Sequence, residues 1–269
     1  MSHSRFEYVK QFEQHLDLLK NTYIVIRIDG KGFTKFTEKH QFKKPNDLRA
    51  LKLMIIAGLN VMKNYTEIFM SYGQSDEFSF VFKKNAKLYN RRSEKILTNI
   101  VSLFTSSYVY YWDKIFKETK LLFPPSFDGR IILYPSFQNL KDYFCWRVTD
   151  CHINNLYNTT FWALVEKGNL SKEQAHDKLK TTLSNEKNEI LFSQFKINYN
   201  NENIIYKKGT LILKLKDLKF KDLYKFDDII IKDDNFMKEM ICDNNSCLVV
   251  CHDDVFKDNF WDKEKIDFD

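Results

Sequence analysis

Apolar positions along the chain fall into runs with either helical or strand-like spacing. Phe6, Val9, Phe12 and Leu16 recur every three or four residues, which predicts an amphipathic helix over 4–20. TYIVIRID, residues 22–29, is apolar almost throughout and reads as a buried strand ending in the carboxylate of Asp29. A glycine-bearing turn and a short helix follow. In KKPND, Pro45 sets the chain direction, and Asn46 or Asp47 caps a helix running to about Tyr65, with Leu51, Met54, Ile55, Leu59 and Met62 on its buried face. EIFMSYG and EFSFVF, joined through QSD, carry the signature of a β-hairpin, with Phe78, Phe80 and Phe82 alternating beyond Gly73. A long helix is expected over about 90–117, with Leu97, Ile100, Val101, Phe104 and Tyr108 inward, then a strand at 131–134 bounded by prolines.

This order is βαββαβ, the ferredoxin-like arrangement of an antiparallel sheet with helices on one face. From Ser136 the texture changes to an aromatic, Asn-rich helix. A second helix is opened by a Ser171–Gln174 capping box, a third covers about 187–195, and the strand GTLILKL follows. The expected class is α+β: a core over 1–135, and a helical extension with C-terminal strands over 136–269, packed as a single globular unit.

Composition changes the picture in two places. No run of about 18 apolar residues exists, which argues against a membrane span. The N-terminus, MSHSRFEYVKQFEQH, resembles neither a secretory signal nor a transit peptide. Five unpatterned cysteines fit a reducing compartment, and the C-x4-C-x3-C-H spacing from Cys242 to His252 is a poor zinc knuckle on what reads as a strand. Charge is divided unevenly. Residues 217–269 hold 8 Lys against 15 acids, whereas residues 1–216 hold 34 basic and 21 acidic residues, a balance of +13. That is the electrostatic footprint of a polyanion binder.

The candidate chemistry sits where strand one ends and the hairpin turns. Strands one and three are central neighbours in the expected fold, so Asp29 and Asp76 can face one point. Carboxylates that close repel unless a cation lies between them, and an open oxygen site suits Mg²⁺ together with substrate phosphates. Glu77 points away if its strand is regular and is given an outer role. Two of the seven glycines, Gly30 and Gly32, lie in the GKGFT turn, whose successive amides form an anion nest at a helix start. Lys43 and Lys44 precede a capped helix, and Arg91, Arg92 and Lys95 are expected on one helix. Together these describe two-metal phosphoryl or nucleotidyl transfer.

IRIDGKGFTKF, KKPNDLRAL, YGQSDEFSFVF, RRSEK, FDGRIILYPS, DCHINNLYNTTFWAL, SNEKNEILFS and INYNNEN with YKKGT occur in that order over about residues 5–212. Together they resemble the eukaryotic tRNA-histidine guanylyltransferase family. The resemblance implies a palm-like domain that adds a guanosine to the 5′ end of tRNA-histidine in the 3′-to-5′ direction. ATP first adenylylates the 5′-monophosphate, GTP then attacks through its 3′-hydroxyl, and pyrophosphate is removed last. It implies two Mg²⁺ ions on Asp29, Asp76 and the Gly30 carbonyl, with Glu77 also catalytic. Nucleotide contacts are implied from Asp29, Gly30, Lys31, Gly32, Phe33, Thr34, Ser75 and Asp76, joined here by Lys44, Asn46, Asp47, Arg92 and Lys95. His152 and Asn155 of HINNLYN, with Lys187 and Asn198, are the implied tRNA contacts; an imidazole and amides suit unstacked bases.

A homotetramer, a dimer of dimers, is further implied, with the cytoplasm as default compartment and nucleus or mitochondrion open. Lys31 and Thr34 stand where the family often has Arg and His, Phe78 where it has Tyr, and Val148-Thr149 where it has Gln-Ala. Two alternatives stay open: a template-dependent tRNA 5′-end repair polymerase with the same chemistry, and a non-catalytic RNA-binding module on the same frame.

Overall fold

The computed structural model describes residues 4–215, 242–243, 246–252 and 255–261. The expected acidic tail lies largely outside them. β1 (Tyr23–Gly30) leads through α1 (Phe33–Lys39) and α2 (Leu48–Asn64) to the hairpin β2 (Ile68–Gln74) and β3 (Glu77–Phe82). α3 (Ser93–Tyr110), α4 (Trp112–Ile115) and β4 (Phe127–Tyr134) complete the first half. The extension consists of α5 (Phe137–Glu166), α6 (Lys172–Leu179), α7 (Ser184–Phe195), α8 (Ile204–Lys208), β5 (Thr210–Leu215), β6 (Cys242–Asp243) and β7 (Ser246–Cys251).

All seven strands join one antiparallel sheet in the order β4-β1-β3-β2-β5-β7-β6. The first four reproduce the ferredoxin-like order, and the extension's strands continue the same sheet beyond β2. Strand alternation assigns the faces. Ile24, Ile26 and Ile28 of β1, with Phe78, Phe80 and Phe82 of β3, pack against α2 and α3. Tyr23 and Val25, with Val81, face the other way onto Leu140, Tyr143, Phe144 and Val148 of α5. The core's own helices thus share one face, and the long helix of the extension covers the second. Strands buried on both sides need near-continuous apolar sequence, which is why β1 lacks clean alternation.

Caps fall where side chains supply them. Asp47 accepts from the Arg49 amide at the start of α2, and Ser171 with Gln174 forms a complete capping box on α6.

Two expectations are corrected. The N-terminal segment is not a helix over 4–20: it has one 3₁₀ stretch, Glu7–Phe12, and Phe6, Val9, Phe12 and Leu16 are all exposed. Its second half is drawn out because the Leu16 carbonyl accepts from Ser93 and the Leu18 amide donates to Arg91, a β-like pairing incompatible with helix. The helix expected from residue 90 begins at Ser93 instead. Tyr89, Asn90 and Arg91 are left-handed (φ 49°, 54° and 62°), so the chain turns sharply before α3.

Candidate active site

Following the same alternation, Asp29 projects from β1 toward the α5 side. Its register partner on β3 is Glu77, so the two carboxylates share that face. This corrects the expectation that Glu77 points away: the hairpin turn holds only Ser75 and Asp76, and that spacing puts Glu77, not Phe78, opposite Asp29. Ser75 adopts a left-handed conformation (φ 48°), and its hydroxyl donates to Asp76 at 3.0 Å. The Gly30 amide donates to the Asp76 carbonyl at 3.1 Å, which locks the turn against the end of β1. A Cβ on Gly30 would lie 2.7 Å from Asp76 Oδ2 and 2.4 Å from the Phe33 ring. Only glycine permits that approach. Gly30→Ala is therefore expected to lower turnover about 100-fold by displacing Asp76, with a smaller fall in melting temperature; steady-state kinetics beside thermal melts will check it.

The electrostatics are those of acids crowded together. Burial pushes Asp76 up, opposed by the Ser75 hydroxyl and reinforced by the charge of Asp29. Burial also raises Glu77, against Arg147 and Arg27, which pull it down. Arg147 donates to Glu77 Oε2 at 2.9 Å, Arg27 lies 3.9 Å from the same oxygen, and Glu77 Oε1 is buried without a hydrogen-bond partner.

Asp29, Asp76 and Glu77 line one end of a cavity of about 880 Å³. Lys43, Lys44 and Lys172 stand along its other walls with Tyr157, Trp162 and His176. Lys44 reaches Thr37 at 3.3 Å and lies 5.6 Å from the Trp162 ring centroid; Lys172 pairs with Glu38 at 3.1 Å. The volume is that of a small-ligand site, and its lining also includes Glu38, Asp47, Asp150 and Glu173, so carboxylates outnumber its three lysines.

Of the expected nucleotide contacts, Asp29, Phe33, Thr34, Lys44, Asn46, Asp47, Ser75 and Asp76 line this cavity. The anion nest is smaller than expected. The Gly30 amide is committed to Asp76 and the Lys31 amide to Ser126, leaving the amides of Gly32, Phe33 and Thr34 at the opening of α1. Gly32 is left-handed there (φ 69°), and the Lys31 side chain is exposed outside the cavity. Asp47 is engaged structurally, both oxygens accepting from Arg49 and one from the Lys43 amide. Burial raises its carboxyl, but these bonds outweigh that and hold it below the usual range.

Arg92 and Lys95 do not belong to this site. Arg91 beside them is anchored to Leu18, Leu19 and Thr22, ahead of β1, and Asp29 ends that strand about 20 Å away. Arg92 stays local, bonding the Tyr89 carbonyl, and Lys95 is exposed on α3.

Asn155 lines the cavity, but its amide is already engaged at both ends. It is buried, its oxygen accepts from Asn46 at 2.9 Å, and its amide donates to the Tyr199 hydroxyl at 3.0 Å. It ties the α1–α2 loop to α5. His152 lies outside the cavity, exposed beside Tyr199, with burial and Lys207 lowering its pKa. Lys187 donates to the Thr182 carbonyl at 2.6 Å, and Asn198 caps the 3₁₀ turn at Tyr199–Asn201. Sequence reasoning missed Arg27 and Arg147, which hold Glu77, and Lys172, Tyr157 and Trp162 on the cavity wall. Arginine in a lysine-rich chain was the available signal for the first two.

The chain also matches known proteins. The family model described as tRNAHis guanylyltransferase matches residues 6–135, and the Thg1 C terminal domain matches 138–257. The chain is 58% identical to the tRNA(His) guanylyltransferase of Schizosaccharomyces pombe over 214 residues, 80% of this chain and 82% of the relative. It is 46% identical to the probable tRNA(His) guanylyltransferase of Homo sapiens, over 97% of this chain and 87% of the relative.

The chain belongs to the tRNA(His) guanylyltransferase family. It is an enzyme of that family, with the family's α+β fold. The crystal structure of the Saccharomyces cerevisiae tRNA(His) guanylyltransferase superposes with a TM-score of 0.75 at 48% identity, covering 78% of this chain and 93% of that one. Of the positions expected to depart from the family pattern, Lys31, Phe78, Val148 and Thr149 lie outside the cavity lining. Phe78 is fully buried, its ring against Gly58 and Gly73, so the missing hydroxyl faces packed core. Val148 is buried on α5, and only Thr34 faces the cavity.

Proposed function

We propose that the protein is a Mg²⁺-dependent nucleotidyltransferase that adds one guanosine to the 5′ end of tRNA-histidine. The observation that carries this reading is the convergence of Asp29 and Asp76, close enough for one charge to raise the other's pKa, in a carboxylate-rich cavity that also holds Lys43, Lys44 and Lys172, in a chain of this family.

Mg²⁺ fits the residues present. Among the described residues no group of three or more His, Cys, Asp or Glu could hold a metal. Two carboxylates and the Gly30 carbonyl are instead an incomplete hard-oxygen set of the kind Mg²⁺ completes with water and substrate phosphates. The buried, unpartnered Glu77 Oε1 and the mutual repulsion of Asp29 and Asp76 mark a pocket short of positive charge. Asp29, Asp76 and Gly30 would hold two ions, which when bound stabilise charge developing on the phosphoryl oxygens.

The chain's own groups do the rest. Lys44 and the first amides of α1 bind triphosphate, and Arg147 and Arg27 fix Glu77 beside Asp29. The Gly30 amide, bonded to the Asp76 carbonyl, holds that turn in place. ATP and GTP act in turn: ATP transfers AMP to the 5′-phosphate with loss of pyrophosphate. The GTP 3′-hydroxyl then displaces AMP, and the new 5′ end loses pyrophosphate. The balance of +13 over residues 1–216 supports a tRNA partner. His152, Lys187 and Asn198 contact it outside the cavity. Exposed Phe6, Phe12, Leu16 and Leu19 support the homotetramer by offering apolar surface for another copy, and the cytoplasm is the expected compartment.

Incubation with 5′-monophosphorylated tRNA-histidine, ATP, labelled GTP and Mg²⁺ tests the reading. The expected product is one labelled nucleotide longer and forms only with ATP present. Unlabelled tRNA under these conditions would sink it, and preference for 5′-truncated tRNAs would move the assignment to end repair.

A further inference from the structure

We propose that Trp146 is a stacking platform for an unpaired base at the single-stranded acceptor end of the tRNA whose 5′ end occupies the carboxylate cavity; this rests on the nucleotidyl-transfer reading above. Trp146 lies on α5 one turn before Asp150, a cavity residue, and is 53% exposed, whereas Trp112 and Trp261 are buried at 1% and 5%. Its ring is held rather than loose. The Arg147 guanidinium carbon lies 3.5 Å from the ring centroid, and that of Arg27 lies 5.6 Å away. Both guanidinium groups meet the same Glu77 oxygen, at 2.9 and 3.9 Å, which puts them under one side of the indole. Arg147 is itself only 6% exposed in its side chain and is tied to Asp150 at 3.4 Å. Tyr143 supports the ring edge at 6.2 Å.

The indole therefore rests on a fixed cationic base while about half of the residue stays in solvent. Asp29 pairs in register with Glu77, Glu77 bonds Arg147, and Arg147 lies under Trp146, so a tRNA end held at Asp29 would bring its single-stranded acceptor nucleotides near this ring. The composition points the same way. The chain has 42 basic residues but only seven arginines, and three of them are Arg27, its register partner Arg130, and Arg147. Arginine planes and exposed aromatic rings are what unpaired RNA bases stack on, whatever their identity. Arg27 and Arg147 are already paired with carboxylates, so this place offers stacking more than phosphate attraction.

The test compares the affinity of wild-type, Trp146→Ala, Trp146→Phe and Trp146→Leu proteins for 5′-monophosphorylated tRNA-histidine and for GTP, at low and high salt. Trp146→Ala should bind tRNA about tenfold more weakly, by the same factor at both salts, with GTP affinity unchanged. Trp146→Phe should recover most of the loss, and Trp146→Leu, which keeps the cover over Arg147 without a π-face, should not. If the Ala variant folds poorly, the Phe–Leu comparison decides. Equal tRNA affinity in Leu and Phe variants overturns the proposal. So does a change in assembly mass on substitution, which would assign the ring to another copy of the chain. A wild-type protein that neither binds tRNA nor adds guanosine sinks the parent reading; one that does both while the variants match it sinks only the platform.

Discussion

Asp76→Ala is expected to abolish guanosine addition, by a factor on the order of 10³ or more, and yet to raise the melting temperature of the metal-free protein at pH 7. Both effects have one origin. Asp76 is half-buried in a turn packed against Gly30 and within reach of the Asp29 charge, and its pKa is raised. A carboxyl whose folded pKa is raised contributes stability fully below its unfolded value of about 3.9, and loses it as pH rises through the folded value. At neutral pH the ionised group is therefore a liability, which alanine removes together with the oxygen needed for reaction. Adding Mg²⁺ at pH 7 should raise the melting temperature of the wild type and leave the variant unmoved. Asp47 has the opposite sign. Its depressed pKa contributes above the unfolded value and is lost as pH falls through the folded one, so acid unfolding should draw on Asp47 while Asp76 resists it. A variant with retained activity, or wild-type melting insensitive to Mg²⁺, would refute the two-carboxylate account.

Arg91→Ala should cost roughly 3 kcal/mol or more of folding stability, read as a lower urea midpoint, with turnover per folded molecule preserved. The Arg91 side chain donates to the carbonyls of Leu18, Leu19, Thr22 and Ala86 and to the Thr22 hydroxyl, at distances from 2.6 to 3.2 Å. Removing it strands several acceptors at once in a buried joint between the N-terminal segment, β1 and the turn before α3. Arg91→Lys should recover only part of the loss, because a single ammonium cannot span positions that the planar fork reaches together. Lost activity at full stability would instead return Arg91 to the phosphate-binding role its sequence context suggests.

The contrast between those two residues shows what a linear reading captures. Asp29 and Asp76 were legible because local rules place them: a strand ends, a hairpin turns, and glycine marks the close approach. The Asp47 cap and the Ser171–Gln174 box follow equally from neighbours in sequence. Arg91 was misassigned because its partners lie some 70 positions upstream, and nothing nearby distinguishes a carbonyl-bridging arginine from a phosphate-binding one. The structural part played by Asn155 was hidden for the same reason, its bonds running to Asn46 and Tyr199. Glu77 turned on parity alone: with two residues in the turn it joins Asp29, and a regular strand counted from Asp76 had it leaving. The N-terminal spacing was truly helical, but a helix forms when its apolar stripe has something to cover, and here the backbone pairs instead with Arg91 and Ser93.

Because β5 lies beside β2, the β2–β3 hairpin is interior to the sheet only once residue 215 has arrived. Tyr72 fastens that join, its hydroxyl donating to the Lys208 carbonyl at 3.0 Å. During synthesis, a nascent chain of the first 135 residues carries on its rim, with unpaired backbone, a strand that is buried throughout in the full protein. Expression of that fragment alone should yield insoluble material, and a chaperone holding the emerging chain would find its target there.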